Sequence, residues 1–374
     1  MIIKQYAIDT PLYYPYEYDL ERMIFFDIET TGFSPDSTYL YLIGCIYYKD
    51  ESFHIIQWFS EDIREEVLIL KNFFEFITNY DVLIHYNGTG FDIPYLERKC
   101  TIFHLDYSFD HILSLDIYKK ITPYKKILKL DNYKQKTLEI FLKTARTDIF
   151  DGGDLIQVYA GYLGKKRYET LAQGKVPSYP GQAPTAKDLL QQLLLHNEDD
   201  IKGLLKISPI LYYCDLFEKP FHKFSYTVED NQLTLQLITE HNLPIEITYS
   251  NEYICFKAFQ NTAVFQITLI HGVLKFFFDN YKDYYYLPKE DTAVHKSLAA
   301  FVEKEYRQKA KAATCYTKKE GVFLPQFESL FSPIFKQNHN DKITYFECTE
   351  DFLSNQELMI SYINHLFRAL QSGK

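Results

Sequence analysis

The sequence predicts an α/β domain with a mixed sheet and flanking helices, followed by a smaller α+β domain built on an antiparallel sheet or barrel. Three observations lead to this prediction. The chain has 374 residues, more than one hydrophobic core usually organises. Its first half alternates strand-like runs with helical patterns, and beyond Asp215 short apolar runs alternate with turn residues.

The composition and charge are those of an ordinary folded protein. Apolar residues make up 47% of the chain and charged residues 24%. The net charge of −10 argues against a protein that coats nucleic acid by bulk attraction. No apolar run approaches the roughly 18 residues that span a bilayer, and the N-terminal sequence lacks the pattern of a signal peptide. We therefore expect a cytoplasmic protein without a membrane span.

The first domain begins with three predicted strands, at residues 23–28, 39–48 and 53–59. They are rich in Ile, Tyr and Phe and are separated by turn-like segments, which is typical of an antiparallel meander. Ser60 is predicted to cap a helix. The apolar positions of that helix recur at helical spacing: Ile63, Val67, Leu70, Phe74 and Ile77.

The rest of this domain alternates helices and strands. The predicted elements are, in order, a strand at residues 82–86, a helix at 93–100, a strand at 112–118, helices at 137–144 and 154–163, and a Pro- and Gly-containing loop at 177–184. A long helix then runs from residue 185 to about 211, with a bend near Gly203 or Pro209.

The pattern changes in the second half of the chain. Six turn candidates recur about every ten residues: Asp230-Asn231, Asn242, Ser250-Asn251, Gln260-Asn261, His271-Gly272 and Asp279-Asn280. They predict six or seven antiparallel strands between residues 224 and 287. Helices are predicted at 292–312 and, after a capping box at Ser354 and Glu357, through Leu370.

These patterns divide the chain into three parts. Residues 1–22 form a lead-in, residues 23–214 the α/β domain, and residues 215–374 an α+β domain of unknown role. The boundary is expected within residues 212–223.

The strongest chemical signal is the sequence DIETTG, which begins at Asp27. Strand alternation places Asp27 and Glu29 on one face, with Phe26 and Ile28 on the other. Two carboxylates about 7 Å apart on a strand in an apolar sheet resist burial unless a cation binds them. Taken alone, the pair also fits a strand that runs out into solvent.

Two later segments carry matching polar groups. Asp92 follows a predicted strand and lies near a helix N-terminus, where open α/β sheets place ligands, although a carboxylate there also suits the helix dipole. His196 and Asp200 are one helical turn apart and share a helix face. In isolation, that segment also fits a solvated acidic turn.

Together these segments resemble the DEDD superfamily of 3′–5′ exonucleases, which have a ribonuclease-H-like fold. The resemblance is to the bacterial YprB-like branch in particular and covers residues 23 to about 212. Its counterparts are the sequences FFDIETTG, HYNGTGFD, YKQKTLE from Tyr133 to Glu139, and LLLHNEDD.

The resemblance implies a two-metal site. Asp27, Glu29, Asp92 and Asp200 would ligate two divalent ions, Mg²⁺ or Mn²⁺, and His196 would activate the attacking water. Superfamily members with His in the last motif usually space it H-x4-D, whereas this chain has the x3 spacing of the Tyr-bearing subgroup. The spacing also admits Asp199 as a rival ligand.

A basic segment lies between the motifs. From Lys119 to Arg146 nine basic residues stand against two acids, Asp131 and Glu139. We expect this strip either to face phosphates or to be a solvated surface. The predicted substrate contacts are Thr30, Asn87, Phe91, Lys134 and Lys136.

The sequence thus predicts a metal-dependent enzyme that releases nucleotides from the 3′ end of DNA or RNA. One alternative is a structure-selective endonuclease with the same site. Another is a catalytically silent module that binds nucleic acid or protein. The C-terminal domain is expected to position the substrate or a protein partner.

Overall fold

The structure is a computed structural model that describes residues 1–144, 152–171, 184–219, 221 and 223–373. The chain forms two compact units, one of residues 1–123 and 130–214 and one of residues 124–129 and 215–374. Residues 177–183 of the predicted loop and Arg146 of the basic strip lie outside the described residues. Within the described chain, no helix is long and apolar enough to cross a membrane.

The first unit is built on a mixed sheet. Its strands are β1 (Ile2–Ile8), β2 (Met23–Thr30), β3 (Leu40–Lys49), β4 (Ser52–Phe59), β5 (Val82–His85) and β6 (Leu113–Asp116). They are ordered β1-β4-β3-β2-β5-β6. Strands β2, β3 and β4 form the predicted antiparallel meander, and β5 and β6 continue the sheet in parallel with β2.

Helices flank this sheet. The helices described up to residue 218 are α1 (Glu66–Ile77), α2 (Asp92–Ile102), α3 (Ile117–Ile121), α4 (Lys125–Leu128), α5 (Gln135–Phe141), α6 (Gly152–Leu171), α7 (Ala186–Ile207) and α8 (Leu211–Glu218). Helix α4 belongs to the second unit, and the division between the units falls within α8.

The alternation of β2 decides what each face of the sheet contacts. Ile24, Phe26 and Ile28 are buried on one face, where they pack with residues of α1 and α2. Asp27 and Glu29 lie on the opposite face, against which α7 packs. The predicted division of β2 into an apolar and an acidic face is therefore confirmed.

Several boundaries differ from the prediction. Helix α1 begins at Glu66 rather than after Ser60, because Ile63–Glu65 forms a 3₁₀ turn capped by Asp62. Helix α7 is continuous through Gly203 and ends at Ile207, before a 3₁₀ turn that contains Pro209. The lead-in contains a strand, β1, which pairs with β4 and whose mostly exposed side chains make its apolar pattern weak.

A buried ion pair joins α1 to α2. Lys99 Nζ lies 2.7 Å from Glu66 Oε1, and both side chains are at most 5% exposed. Lys99 also donates to the carbonyl of Thr38, and Glu66 accepts the Leu40 N–H. The pair therefore anchors the connection between β2 and β3, which leads away from the acidic end of β2.

The second unit consists mainly of antiparallel strands. These are β7 (Lys223–Glu229), β8 (Gln232–Ser250), β9 (Ile254–Thr268), β10 (Ile270–Phe277), β11 (Tyr284–Leu287), β12 (Thr292–His295), β13 (Gln308–Lys309), β14 (Tyr316–Gln326), β15 (Phe335–Lys336) and β16 (Thr344–Glu347). They form a sheet β7-β8-β9, a sheet β12-β11-β13 and a closed barrel β10-β14-β16-β15. Its later helices are α9 (Lys296–Ala299), α10 (Glu350–Ser354) and α11 (Gln356–Ser372).

The prediction of an antiparallel sheet or barrel is correct for this unit, but several details are wrong. Asn242 and Gln260-Asn261 lie inside β8 and β9 rather than at turns, because these strands are long and irregularly paired. His271-Gly272 lies inside β10, where it pairs with β14. The predicted helix at 292–312 is instead two short strands, α9 and 3₁₀ turns. Helix α11 is capped by Asn355, which accepts from two backbone N–H groups, rather than by Ser354.

Candidate active site

The acidic face of β2 meets a histidine and an aspartate on α7. His196 Nε2 lies 3.0 Å from Asp200 Oδ2 and 3.7 Å from Glu29 Oε1. Potential ligand atoms of Glu29, His196 and Asp200 all lie within 4.8 Å of one another. The i, i+4 spacing in α7 therefore places both side chains opposite β2.

The environment of this group fits a divalent cation. The His196 side chain is 5% exposed, Glu29 12% and Asp200 22%. Two carboxylates held this close and partly buried repel each other, and a bound cation removes that repulsion. Carboxylate oxygens with an imidazole nitrogen are a donor set that divalent ions accept. Among the described residues, Asp200 belongs to this group and Asp199 does not.

Asp92 lies beside β2 at the first turn of α2. Its carboxylate accepts backbone N–H groups of Ile28 and of Asp92 itself. Burial and, to a smaller extent, the charge of Asp116 raise the pKa of Asp92, and those hydrogen bonds oppose the shift; together they bring the pKa to about 7. A cation near Asp92 would favour its ionised form.

The loop before Asp92 is held by two residues that the sequence analysis did not connect. Asp116, at the end of β6, accepts the backbone N–H groups of Asn87 and Thr89 at 2.9 and 3.3 Å. His85 Nδ1 accepts the Gly88 N–H at 3.1 Å. Burial lowers the pKa of His85 to about 4, although the Asp116 charge opposes this shift. Parallel pairing of β5 with β6 brings these groups together, so no local sequence signal could reveal them.

A cleft of about 670 Å³ opens above Asp27 and Asp92. Its lining is largely aromatic and amide-bearing: Phe33, Tyr86, Asn87, Phe91, Tyr118, Tyr133, Lys134 and Gln135. The Phe33 side chain is 89% exposed, and its ring meets that of Phe91 edge-on at 5.8 Å. Gln135 Nε2 donates to the Asp200 carbonyl at 2.8 Å, so this wall of the cleft is tied to α7.

Three of the five predicted substrate contacts line this cleft, namely Asn87, Phe91 and Lys134. The Thr30 hydroxyl instead donates to the Gly32 carbonyl at 2.8 Å, within the turn after β2. Lys136 lies outside the lining described for the cleft.

The basic strip is not one surface of the first unit. Lys125, Lys126 and Lys129 belong to the second unit, whereas Lys134 lies at the cleft. The charge count therefore combined residues of two units.

Comparisons of the sequence and of the structure with known proteins show what the chain is similar to. Residues 24–212, which are 189 of the 374 residues, match the family model RNase_H_2, described as RNase_H superfamily. No curated protein matches the chain significantly. Among solved structures, the family B DNA polymerase from the hyperthermophilic archaeon Pyrobaculum calidifontis is similar, with a TM-score of 0.36 and 10% sequence identity. That similarity covers 68% of this chain and 33% of the polymerase chain.

Proposed function

The chain belongs to the RNase_H_2 family of the RNase H superfamily, and from this premise we propose that it is a metal-dependent nuclease acting as a 3′–5′ exonuclease on DNA or RNA. The observation that carries the proposal is the group of Glu29, His196 and Asp200, whose ligand atoms lie within 4.8 Å of one another. Asp27, on the same face of β2, and Asp92 both line the adjoining cleft.

The four carboxylates of Asp27, Glu29, Asp92 and Asp200 would hold two divalent ions, Mg²⁺ or Mn²⁺. Such ions activate an attacking water and stabilise the leaving 3′ oxygen of an in-line displacement. The fit rests on the chemistry of the donors, since hard divalent ions prefer carboxylate oxygens and substrate phosphates as ligands.

His196 is the proposed proton acceptor for the attacking water. Its Nε2 faces both Asp200, at 3.0 Å, and Glu29, at 3.7 Å. A proton taken up at this nitrogen would be stabilised by either carboxylate, because opposite charges at this distance attract strongly in a partly buried site. The role requires that His196 accept a proton rather than ligate an ion.

The cleft suits a nucleotide at the end of a strand. Phe33 and Phe91 offer aromatic surface on which a base can stack, and Lys134 offers a cation for a phosphate. Asp27 and Asp92 line the same cleft, so a base stacked on Phe33 or Phe91 would bring the last phosphodiester towards them.

Two alternative functions would use the same fold, namely an endonuclease and a catalytically silent binding module. An endonuclease would use the same ions but would not require a free 3′ end. A silent module would bind nucleic acid or protein without turnover. The second unit would position the substrate or a protein partner.

The test uses oligonucleotides of DNA and RNA, labelled at the 5′ or the 3′ end, incubated with Mn²⁺ or Mg²⁺. An exonuclease of this polarity produces a ladder from the 5′-labelled substrate and a labelled mononucleotide from the 3′-labelled one. A blocked 3′ terminus should stop it. Cleavage of the blocked substrate would favour the endonuclease, and binding without cleavage under either ion would favour the silent module.

Helix α7 provides a matched pair of variants for the same assay. Asp200→Asn removes an acid of the proposed site, whereas Asp199→Asn removes the same charge from the neighbouring position outside the group. We expect Asp200→Asn to abolish cleavage and Asp199→Asn to leave it within about twofold of the wild type. Equal losses in both variants would mean that helix charge, not the site, is responsible.

A further inference from the structure

Three side chains beneath the acidic site are joined by hydrogen bonds. Gln57 Nε2, on β4, donates to Asn197 Oδ1, on α7, at 3.0 Å. Asn197 Nδ2 in turn lies 3.3 Å from Asp27 Oδ2, on β2. Gln57 and Asn197 are fully buried. This relay connects the proposed metal ligand Asp27 to the interior of the sheet.

The orientation of both amides follows from what each neighbour can accept. Gln57 Nε2 also donates to the Leu194 carbonyl at 2.8 Å, and a carbonyl can only accept. The amino group of Gln57 therefore faces Asn197, which must present its oxygen there and its amino group to Asp27. Turning the Asn197 amide over would place two donors face to face and two oxygens face to face.

Gln57 keeps this orientation at a cost. Its Oε1 is buried and has no hydrogen-bond partner among the described residues. An unsatisfied buried oxygen costs on the order of 1–3 kcal/mol. The two hydrogen bonds that its amino group donates must offset that cost. They therefore fix the orientation of the Gln57 amide.

A glycine makes room for the relay. Gly44, on β3, pairs directly with Asp27 on one side and with Gln57 on the other. A Cβ at Gly44 would lie 1.9 Å from Asn197 Oδ1. The missing side chain thus leaves the gap between Asp27 and Gln57 that the Asn197 amide enters.

We infer that Asn197 is a positioning residue for the metal site. It holds the Asp27 carboxylate through the bond from its amide, and Gln57 and Gly44 form its seat. The inference rests on the proposed function, in which Asp27 is a metal ligand. Groups that orient metal ligands typically contribute about 10- to 100-fold to metal affinity.

The test is a calorimetric titration of the full chain with Mn²⁺, without nucleic acid, together with the melting temperature of the metal-free protein. Asn197→Leu keeps the branched shape and removes the bond to Asp27. Gly44→Ala displaces the Asn197 amide while Asn197 and Asp27 themselves stay unchanged. Both should weaken Mn²⁺ binding about 10-fold or more. Gln57→Leu also breaks the buried bond between Gln57 and Asn197, so it should lower the metal-free melting temperature as Asn197→Leu does. Its Mn²⁺ affinity should fall less, because the bond from Asn197 to Asp27 remains.

Gly321→Ala is the matched control. Gly321 is also in a strand, but a Cβ there would meet its nearest neighbour at 3.4 Å, an ordinary contact distance. This variant should bind Mn²⁺ as the wild type does.

Each other outcome overturns the inference in a distinct way. If Asn197→Leu and Gly44→Ala fold and bind Mn²⁺ like the wild type, Asn197 does not position the ligand. If their Mn²⁺ affinity falls only in step with the metal-free melting temperature, or if neither variant folds, the relay is structural. If the wild type binds no divalent ion, the proposed function itself fails and the inference fails with it.

Discussion

His196 Nε2 lies 3.0 Å from Asp200 Oδ2, one turn further along α7. The same nitrogen lies 3.7 Å from Glu29 on β2, so one imidazole joins helix and sheet at the acidic face. This arrangement allows two roles for His196, as a base or as a ligand, and they differ in what the loss of the ring does to metal binding.

His196→Ala separates these roles. If His196 is the base, turnover should fall about 10²- to 10⁴-fold while Mn²⁺ affinity stays nearly unchanged. His196→Tyr should retain some activity, because the x3 spacing resembles that of the Tyr-bearing subgroup. The measurement is single-turnover rate against Mn²⁺ titration for both variants over pH 6 to 9, with exposed His111 replaced by Ala as a control. Loss of Mn²⁺ binding in step with rate would make His196 a ligand.

Asp92 should make the metal-free protein less stable as the pH rises. Its pKa is raised by burial from 3.8 to about 7, so the folded state holds the proton more tightly than the unfolded state does. The stability that comes from this proton is complete below about pH 4 and is lost as the pH rises through about 7. Asp92→Asn should remove this dependence.

The check is the melting temperature of the wild type and of Asp92→Asn, in chelator, from pH 4.5 to 8. The melting temperature of Asp92→Asn should rise relative to that of the wild type as the pH rises. A difference between the two melting temperatures that does not change with pH would contradict the raised pKa of Asp92.

Lys134 should contribute a phosphate contact at the cleft. Lys134→Ala is expected to weaken nucleic-acid binding at low salt and to reduce the slope of log Kd against log salt by about one unit. Lys136→Ala is the matched control, because Lys136 lies outside the lining described for the cleft. The measurement is the Kd for an oligonucleotide by fluorescence anisotropy at several salt concentrations. Equal salt slopes for the wild type and Lys134→Ala would assign Lys134 to the solvated surface.

Phe33 should stack on a base of the substrate. Phe33 is 89% exposed, beside the cleft, and Phe301 in the second unit is 90% exposed. Phe33→Ala should raise the Kd for a short single-stranded oligonucleotide about 5- to 150-fold, since a stacked base contributes about 1–3 kcal/mol. Phe301→Ala, which removes the same ring at the same exposure, should leave Kd unchanged. Similar effects in both variants would indicate general loss of apolar surface instead of stacking.

The second unit illustrates where local patterns were insufficient. Residues 292–312 have helix-forming composition, yet β12 pairs with β11 and β13 also pairs with β11. Likewise, the predicted turn residues Gln260 and Asn261 lie within β9, at a place where the register of its pairing with β8 shifts. Tertiary pairing overrides local preference in such segments, because a strand's stability depends mainly on its neighbours.

The sequence by itself determined the features that depend on local periodicity. Strand alternation placed Asp27 and Glu29 on one face of β2, and helical spacing placed His196 beside Asp200. A period of two or of 3.6 residues acts over a few positions and can be read without the fold.

Only the tertiary structure decided what surrounds those residues. It brought Asn197 to Asp27, 170 positions away, and Gln57 to Asn197, 140 positions away. It also set Asp116 behind the loop that leads to Asp92. Such contacts arise from sheet order and helix packing, in which the residues that meet are not related by any repeat along the chain.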